Sequence, residues 1–244
     1  MLSGIHLGRY GRDLSPTTSL SSLLRVLDTP RGIKRLRLSS IEPMELSENL
    51  IAHMATSEHI CPHLHIPLQS GDNAVLKAMH RPYTAQEYRD LIHHIAHVLP
   101  HVSVGVDVMA GFPGETDKAF ENTCSLIEAL PVAYLHVFPF SPRKGTAAER
   151  LPYHLSREIK KKRCQYLRNL GETKRREFYQ KFVGSNLRIL VEGKRDKKTN
   201  LLKGFTENYI PVVFEGEDSL FHQIVLARID RIKDGRVYGN PLSV

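Results

Sequence analysis

An alternation sustained from the start of the chain to about residue 150 constrains the fold most: a short apolar strand, a loop, then a helical pattern. Periodicity places strands at Leu2–Leu7, Arg35–Ser39, His63–Leu68, Val102–Met109 and Tyr134–Phe138. Helical patterns fall between them, at 20–27, 45–54, 85–99 and 117–130. Strand and helix alternating at this pace require right-handed crossovers and a parallel sheet. Each strand has one apolar and one polar face. Leu64, Ile66 and Leu68 oppose His63, His65 and Gln69, and Val104, Val106 and Val108 oppose Ser103, Gly105 and Asp107. A sheet covered on both sides reads as continuous hydrophobic runs, and a closed eight-stranded barrel fills its interior with Val, Ile and Leu. The expectation is therefore α/β: a partial, open parallel βα barrel with a polar concavity that holds a ligand.

After residue 150 the pattern changes. Ser156 can cap a helix running to about Lys181, which carries nine Lys/Arg between Arg157 and Arg176 against Glu158 and Glu172. Five short strands follow, at 187–192, 201–206, 210–214, 223–232 and 236–238, separated by Gly, Asn and Asp turns. That is the pattern of a small all-β, OB-like barrel. The organisation expected is 1–150, 151–182 and 183–244. A net charge of +8 favours a polyanionic partner. No apolar run approaches the ~20 residues of a membrane span, and no basic n-region with an apolar h-region precedes the first strand. No membrane partner and a cytoplasmic location are expected. Cys61, Cys124 and Cys164 are odd in number and far apart, which indicates buried thiols rather than disulfides or a CxxC site.

Two stretches carry chemistry. In "VGVDVMAGFPGETDKAF" a valine strand ends in Gly111, Pro113 and Gly114, and a helix begins near Thr116. Glycines at a strand's carboxyl end let backbone approach a ligand. Glu115 and Asp117 already complement the helix dipole, so a neutral adenine or ribose suits this end better than a phosphate. In "HLHIPLQSGDNAVLKAMHRPYT", Gln69, Ser70 and Asn73 supply donors and acceptors where strand becomes loop, and Arg81 follows a short helix. A metal on His63 and His65 has no third ligand that the sequence identifies, and His93 with His97 lacks the Glu of HExxH. No metal site is expected.

The order from "SGIHLGRYG" through "RLRLSSIEP", "PHLHIPLQSGDNAVLKAMHRPYT", "DVMAGFPGET" and "HVFPFSPRKGTAAERLP" resembles the methylthiotransferase branch of the radical S-adenosylmethionine (SAM) enzymes. "LRILVEGKRDKKTNLLKGFTENYIPVVFEG" resembles that branch's RNA-binding TRAM domain. Within the branch, "GIHLGRYG", "HLHIPLQSG" and "FSPRKGTAA" are most similar to enzymes acting on N6-threonylcarbamoyladenosine in tRNA. The resemblance implies SAM as cofactor, with 4Fe-4S clusters held by cysteine sets. A deoxyadenosyl radical takes hydrogen from C2 of the adenosine beside the anticodon, and a methylthio group is installed there. The motif matches nominate Gly4, His6, Ser39, Ser40, Gln69, Ser70, Arg81, Asp107, Gly111, Phe112, Pro113, Gly114 and Glu115 for the cofactor. Lys161, Lys162, Arg163, Lys194, Arg195, Lys197 and Lys198 are nominated for RNA phosphates. Phe205 and Tyr209 either stack a base or belong to the small barrel's core.

The chain departs from the branch in one respect: neither cluster cysteine set is present, and Cys61, Cys124 and Cys164 have the wrong spacing to replace one. By resemblance, residue 1 falls in the family's second barrel strand. A truncation, a split gene with a complementing N-terminal polypeptide, or a mis-assigned start codon accounts for that. The chain alone is expected to be inactive. The partner that the resemblance implies is tRNA, through its anticodon stem-loop. The two rivals are a non-catalytic RNA-binding module and a hydrolase using Asp107 and Glu115.

Overall fold

The structure is a computed structural model and describes residues 1–29 and 32–242. Three parallel strands, β1 (His63–His65), β2 (Ser103–Ala110) and β3 (Tyr134–Pro139), lie side by side in that order. The register sets His65 beside Gly105 and Asp107 beside His136. Two extended segments continue the row through single parallel bridges, Leu36 with Ile60 and Leu2 with Leu38. The result is the open, partial βα barrel the alternation implies.

Helices α1 (Leu20–Leu27), α2 (Glu48–Thr56), α3 (Asn73–Ala78), α4 (Ala85–Val98) and α5 (Asp117–Ala129) complete the units. Each longer one begins where a side chain satisfies an orphan amide. Ser19 accepts from the Ser22 amide, Ser47 from Leu50 and Thr116 from Ala119, while Thr84 and Glu87 form a reciprocal capping box. The strands' apolar face meets these helices: Leu64, Val104, Val106 and Val108 share one core with Leu50, Tyr88, Ile92 and Ile127.

The first expected strand, Leu2–Leu7, does not form. Only Leu2 pairs; the chain turns at Ile5, His6 sits in the left-handed region at φ 52°, and Leu7–Arg9 is one 3-10 turn. The buried carboxylate of Glu45 draws this segment inward: it accepts from the Gly8 amide and lies 3.3 Å from His6 Nδ1 and 3.1 Å from Arg9 Nε.

Ser156 caps the long helix α6 (Arg157–Gln180) by accepting from the Ile159 amide. Five strands then close a barrel in the order β4-β5-β6-β8-β7: β4 (Asn186–Val191), β5 (Leu202–Thr206), β6 (Pro211–Phe214), β7 (Ile224–Lys233) and β8 (Arg236–Pro241). Their alternation buries Ile189, Leu202, Val212, Phe214, Ile229 and Val237 in a second core that also takes in Phe178 and Phe182 at the end of α6. The small OB-like barrel is thus as expected. No helix among the described residues is long and apolar enough to cross a membrane.

Candidate functional site

A cavity of about 510 Å³ opens at the carboxyl ends of β2 and β3, where open α/β sheets bind ligands. Met109, Phe112, Phe138 and Phe140 give it apolar walls, and Gln69, Arg81, Ser141 and Arg143 give it polar groups. Gln69 sits at φ 65°, held there by its amide donating to the Asp107 carbonyl while its own carbonyl accepts from Met109. Arg81 donates to both carboxylate oxygens of Glu42. Of the residues nominated for a cofactor, the structure brings Gln69, Arg81 and Phe112 to this cavity.

The others stand elsewhere. Gly111, at φ +81°, passes under the Lys160 side chain, whose Cγ would lie 2.2 Å from a Cβ placed there. Pro113 is buried and Gly114 is exposed. Ser70 is fully buried, shares a hydrogen bond with Thr123 Oγ1 and accepts from the Asp72 amide. Ser39 Oγ is buried without a partner, Ser40 is exposed, Gly4 is exposed and His6 faces Glu45. Phe138, Phe140, Ser141 and Arg143 were missed as site residues. Their signal was "HVFPFSPRKG", a strand ending in alternating aromatic and proline residues.

Glu115 proves structural. Its carboxylate accepts from the Gly111 amide and from Arg163 Nη1. Burial pushes its pKa up, opposed by those two donors. Arg163 is itself buried and spans Glu115 and Asp117. That corrects its nomination for phosphate binding, because its guanidinium is spent on two carboxylates and the Glu115 carbonyl. It also removes the hydrolase pairing, since Glu115 faces Arg163 and Asp107 faces histidines.

Below the cavity, the polar face carries a row from three strands. His65 Nε2 lies 2.8 Å from Asp107 Oδ1, and His136 Nδ1 lies 3.4 Å from the same oxygen. Burial raises the Asp107 pKa, but the two imidazoles more than offset it, leaving it below the ordinary carboxylate value. Burial and His65 hold His136 below its ordinary value. The side chains that meet His65 on this face are therefore those of Asp107 and His136.

His63 is fully buried, with Arg37 Nε donating to its Nδ1 and its Nε2 2.9 Å from the Tyr134 hydroxyl. Burial and the Arg37 charge push its pKa down to about 3, so it stays a neutral acceptor. Gly105 makes room for the Tyr134 ring, whose Cζ would lie 2.1 Å from a Cβ at that position.

Tyr209 does not offer a free face for a base. Arg37 sits 3.3 Å from its ring centroid, and Phe205 stacks on it at 4.5 Å and 13°. Phe205 also borders a cavity of about 760 Å³ between the barrels, with Arg35, Cys61, Lys203 and His222 among its walls. Arg195 is likewise occupied, donating to Asp218, the Asn200 carbonyl and the Gly216 carbonyl. Lys194, Lys197 and Lys198 are exposed, as are Arg157, Lys161, Lys162, Arg168 and Arg176 on α6.

The three thiols are buried and free, one before β1, one on α5 and one on α6. Burial raises all three pKa values, that of Cys124 to about 11. Iron–sulfur clusters need converging thiolates, so these residues do not fit one.

Residues 12–127 match the Radical SAM superfamily. The threonylcarbamoyladenosine tRNA methylthiotransferase MtaB of Bacillus subtilis is 37% identical over 241 residues, 98% of this chain and 53% of that protein. The tRNA-2-methylthio-N(6)-dimethylallyladenosine synthase of Pelotomaculum thermopropionicum is 36% identical over 225 residues, 92% of this chain and 50% of that protein. The MtaB of Aquifex aeolicus is 39% identical over 216 residues, 88% and 50%. The chain spans about half the length of the curated relatives it matches.

Proposed function

The chain belongs to the radical SAM tRNA methylthiotransferases, and from that premise we propose that it is the cofactor- and RNA-binding part of an enzyme that methylthiolates C2 of N6-threonylcarbamoyladenosine beside the tRNA anticodon. The observation that carries the cofactor half is the cavity at the strands' carboxyl ends. Its flat apolar walls of Phe112, Phe138 and Phe140, and its rim of Gln69 and Arg143, fit an adenosyl group. SAM bound there supplies the adenosyl and methyl groups of the reaction. Phe138 and Phe140 would flank the adenine, and Arg81, fixed by Glu42, would order the cavity's edge. Arg163 anchors the end of the Gly111–Glu115 loop through Glu115, and the Lys160 side chain lies against Gly111 while its Nζ donates to the Phe140 carbonyl.

Cys61, Cys124 and Cys164 are buried on separate elements and offer no ligand set for a cluster. The expected outcome is that anaerobic reconstitution with iron and sulfide leaves less than stoichiometric iron and yields no 5′-deoxyadenosine from SAM. Nucleoside mass spectrometry of tRNA from cells lacking the gene tests the assignment. Loss of the methylthio group from threonylcarbamoyladenosine alone supports it; loss from the isopentenyl nucleoside instead moves the substrate to that adenosine. The small barrel is read as a TRAM domain acting with α6, and its exposed lysines carry the RNA half. Cytoplasmic location belongs to this reading.

A further inference from the structure

We propose that His65, Asp107 and His136 form a binding site for a first-row divalent cation, with zinc the ion whose geometry it fits. The three residues come from three neighbouring strands and lie on one face of the sheet, with Asp107 and His136 directly paired in register. Their donor atoms, two imidazole nitrogens and a carboxylate oxygen, all lie within 4.8 Å of one another. Two imidazoles with a carboxylate suit zinc and its neighbours in the first row.

The geometry at His65 separates a ligand set from an ordinary ion pair. Its Nε2 is buried and 2.8 Å from Asp107 Oδ1, yet it makes no hydrogen bond of acceptable angle. The nitrogen is near the oxygen without aiming at it. Groups arranged around a shared ion have this relation, because each points to a common centre and not to its neighbour. Ligands on a tetrahedral zinc with bonds of about 2.0–2.1 Å stand roughly 3.3 Å apart. The separations of 2.8 and 3.4 Å bracket that value.

Access and room are also present. The His136 side chain is half exposed, so an ion can enter from the concave face. Three protein ligands leave a fourth position open to water or to a substrate atom, the arrangement of reactive rather than purely structural zinc. The absence of thiolates distinguishes this site from an iron–sulfur cluster. It rests on the side-chain geometry and stands whether or not the proposed tRNA reaction is correct.

Calorimetric titration of the chelator-stripped full chain with Zn²⁺ tests the proposal, followed by Co²⁺ spectroscopy. One equivalent of Zn²⁺ is expected to bind, and Co²⁺ to give ligand-field bands that Zn²⁺ displaces. Asp107→Asn and His136→Gln should each weaken binding by more than the roughly 10–100-fold that loss of an outer-shell partner costs. A His93→Gln/His97→Gln variant, altering the exposed pair one turn apart on α4, should bind as the parent does. Circular dichroism establishes that each variant is folded; should Asp107→Asn unfold, His136→Gln decides, because that side chain is half in solvent. No stoichiometric binding overturns the site. Binding that survives His136→Gln unchanged, or that disappears with His93 and His97, overturns it equally.

Discussion

At the scale of single residues, the polar face is organised by groups that burial has forced into one protonation state. His63 shows the sign of the effect. Its pKa is about 3 in the folded chain and about 6.5 when unfolded. Between those values the unfolded chain binds a proton that the folded chain refuses, so acidification destabilises the fold. From pH 7 to pH 5 the stability attributable to His63 should fall by roughly 2 kcal/mol, at about 1.4 kcal/mol per unit. His63→Asn, which keeps an acceptor for Arg37, should flatten the slope of unfolding free energy in that interval; an unchanged slope in urea titrations would contradict the buried neutral imidazole. A second test concerns the buried ion pair. Arg163→Met leaves Glu115 buried with its charge uncompensated and should cost about 3–5 kcal/mol. Adding Glu115→Gln should recover part of that loss, because the pair goes together, and a double mutant as unstable as the sum of the singles would disprove the coupling. Neither His63 nor Glu115 announced this role in the sequence. His63 reads as one more polar residue on an alternating strand, and Glu115 as a helix-dipole carboxylate. What fixes them, Arg37 and Arg163, lies far along the chain.

At the scale of elements, what the sequence revealed and what it hid divide along one physical line. Helices α1, α4, α5 and α6 were readable because their starts are local: a Ser or Thr side chain accepts from an amide three residues on. Strands β2 and β3 were readable because alternation of apolar with polar residues is local too: Val104, Val106 and Val108 in one, Leu135 and Val137 in the other. The segment Leu2–Leu7 misled because a strand exists only if a neighbour pairs with it. Glu45, a contact no nearby residue foretells, gathers His6, Gly8 and Arg9 instead. Helix α6 shows the same division. Its basic composition was plain, but not the assignment of those charges. Arg163 is buried, Lys160 Nζ donates to the Phe140 carbonyl, Lys174 Nζ donates to the Glu128 and Leu130 carbonyls at the C-terminal end of α5, and Arg175 pairs with Glu172. The charges left exposed are Arg157, Lys161, Lys162, Arg168 and Arg176. If five phosphates meet these and the lysines near Lys197, log K for tRNA should fall with log salt at a slope of about −3.5 to −4.5. Lys161→Glu combined with Lys162→Glu should weaken all tRNAs alike in filter binding, since phosphate contacts position without specifying. A flat salt dependence would remove RNA binding from this helix.

At the scale of the whole molecule, the two barrels are joined by three devices. Helix α6 belongs to both cores: Cys164 and Leu167 pack with the βα core, and Phe178, with Phe182 just past the helix end, packs with the small barrel. Arg35 reaches across to the Phe205 and Arg188 carbonyls, and Asn208 donates to the His101 carbonyl. Arg37, bonded to His63, lies over the ring of Tyr209. The last contact carries energy as well as geometry, because a partly buried guanidinium over an aromatic ring contributes about 1–2 kcal/mol and the stacked Phe205 adds about 0.5–1.5 kcal/mol. Tyr209→Ala should therefore destabilise the chain by about 2–3 kcal/mol. A double-mutant cycle with Arg37→Met should return a coupling energy of about 1–2 kcal/mol. Because the barrels share α6 and this stack, the parent chain should unfold in one transition, with far-ultraviolet circular dichroism and tyrosine fluorescence coinciding. Two separated transitions, or a cycle with no coupling, would mean that the small barrel is merely tethered by α6. The Arg37–Tyr209 contact would then hold nothing together.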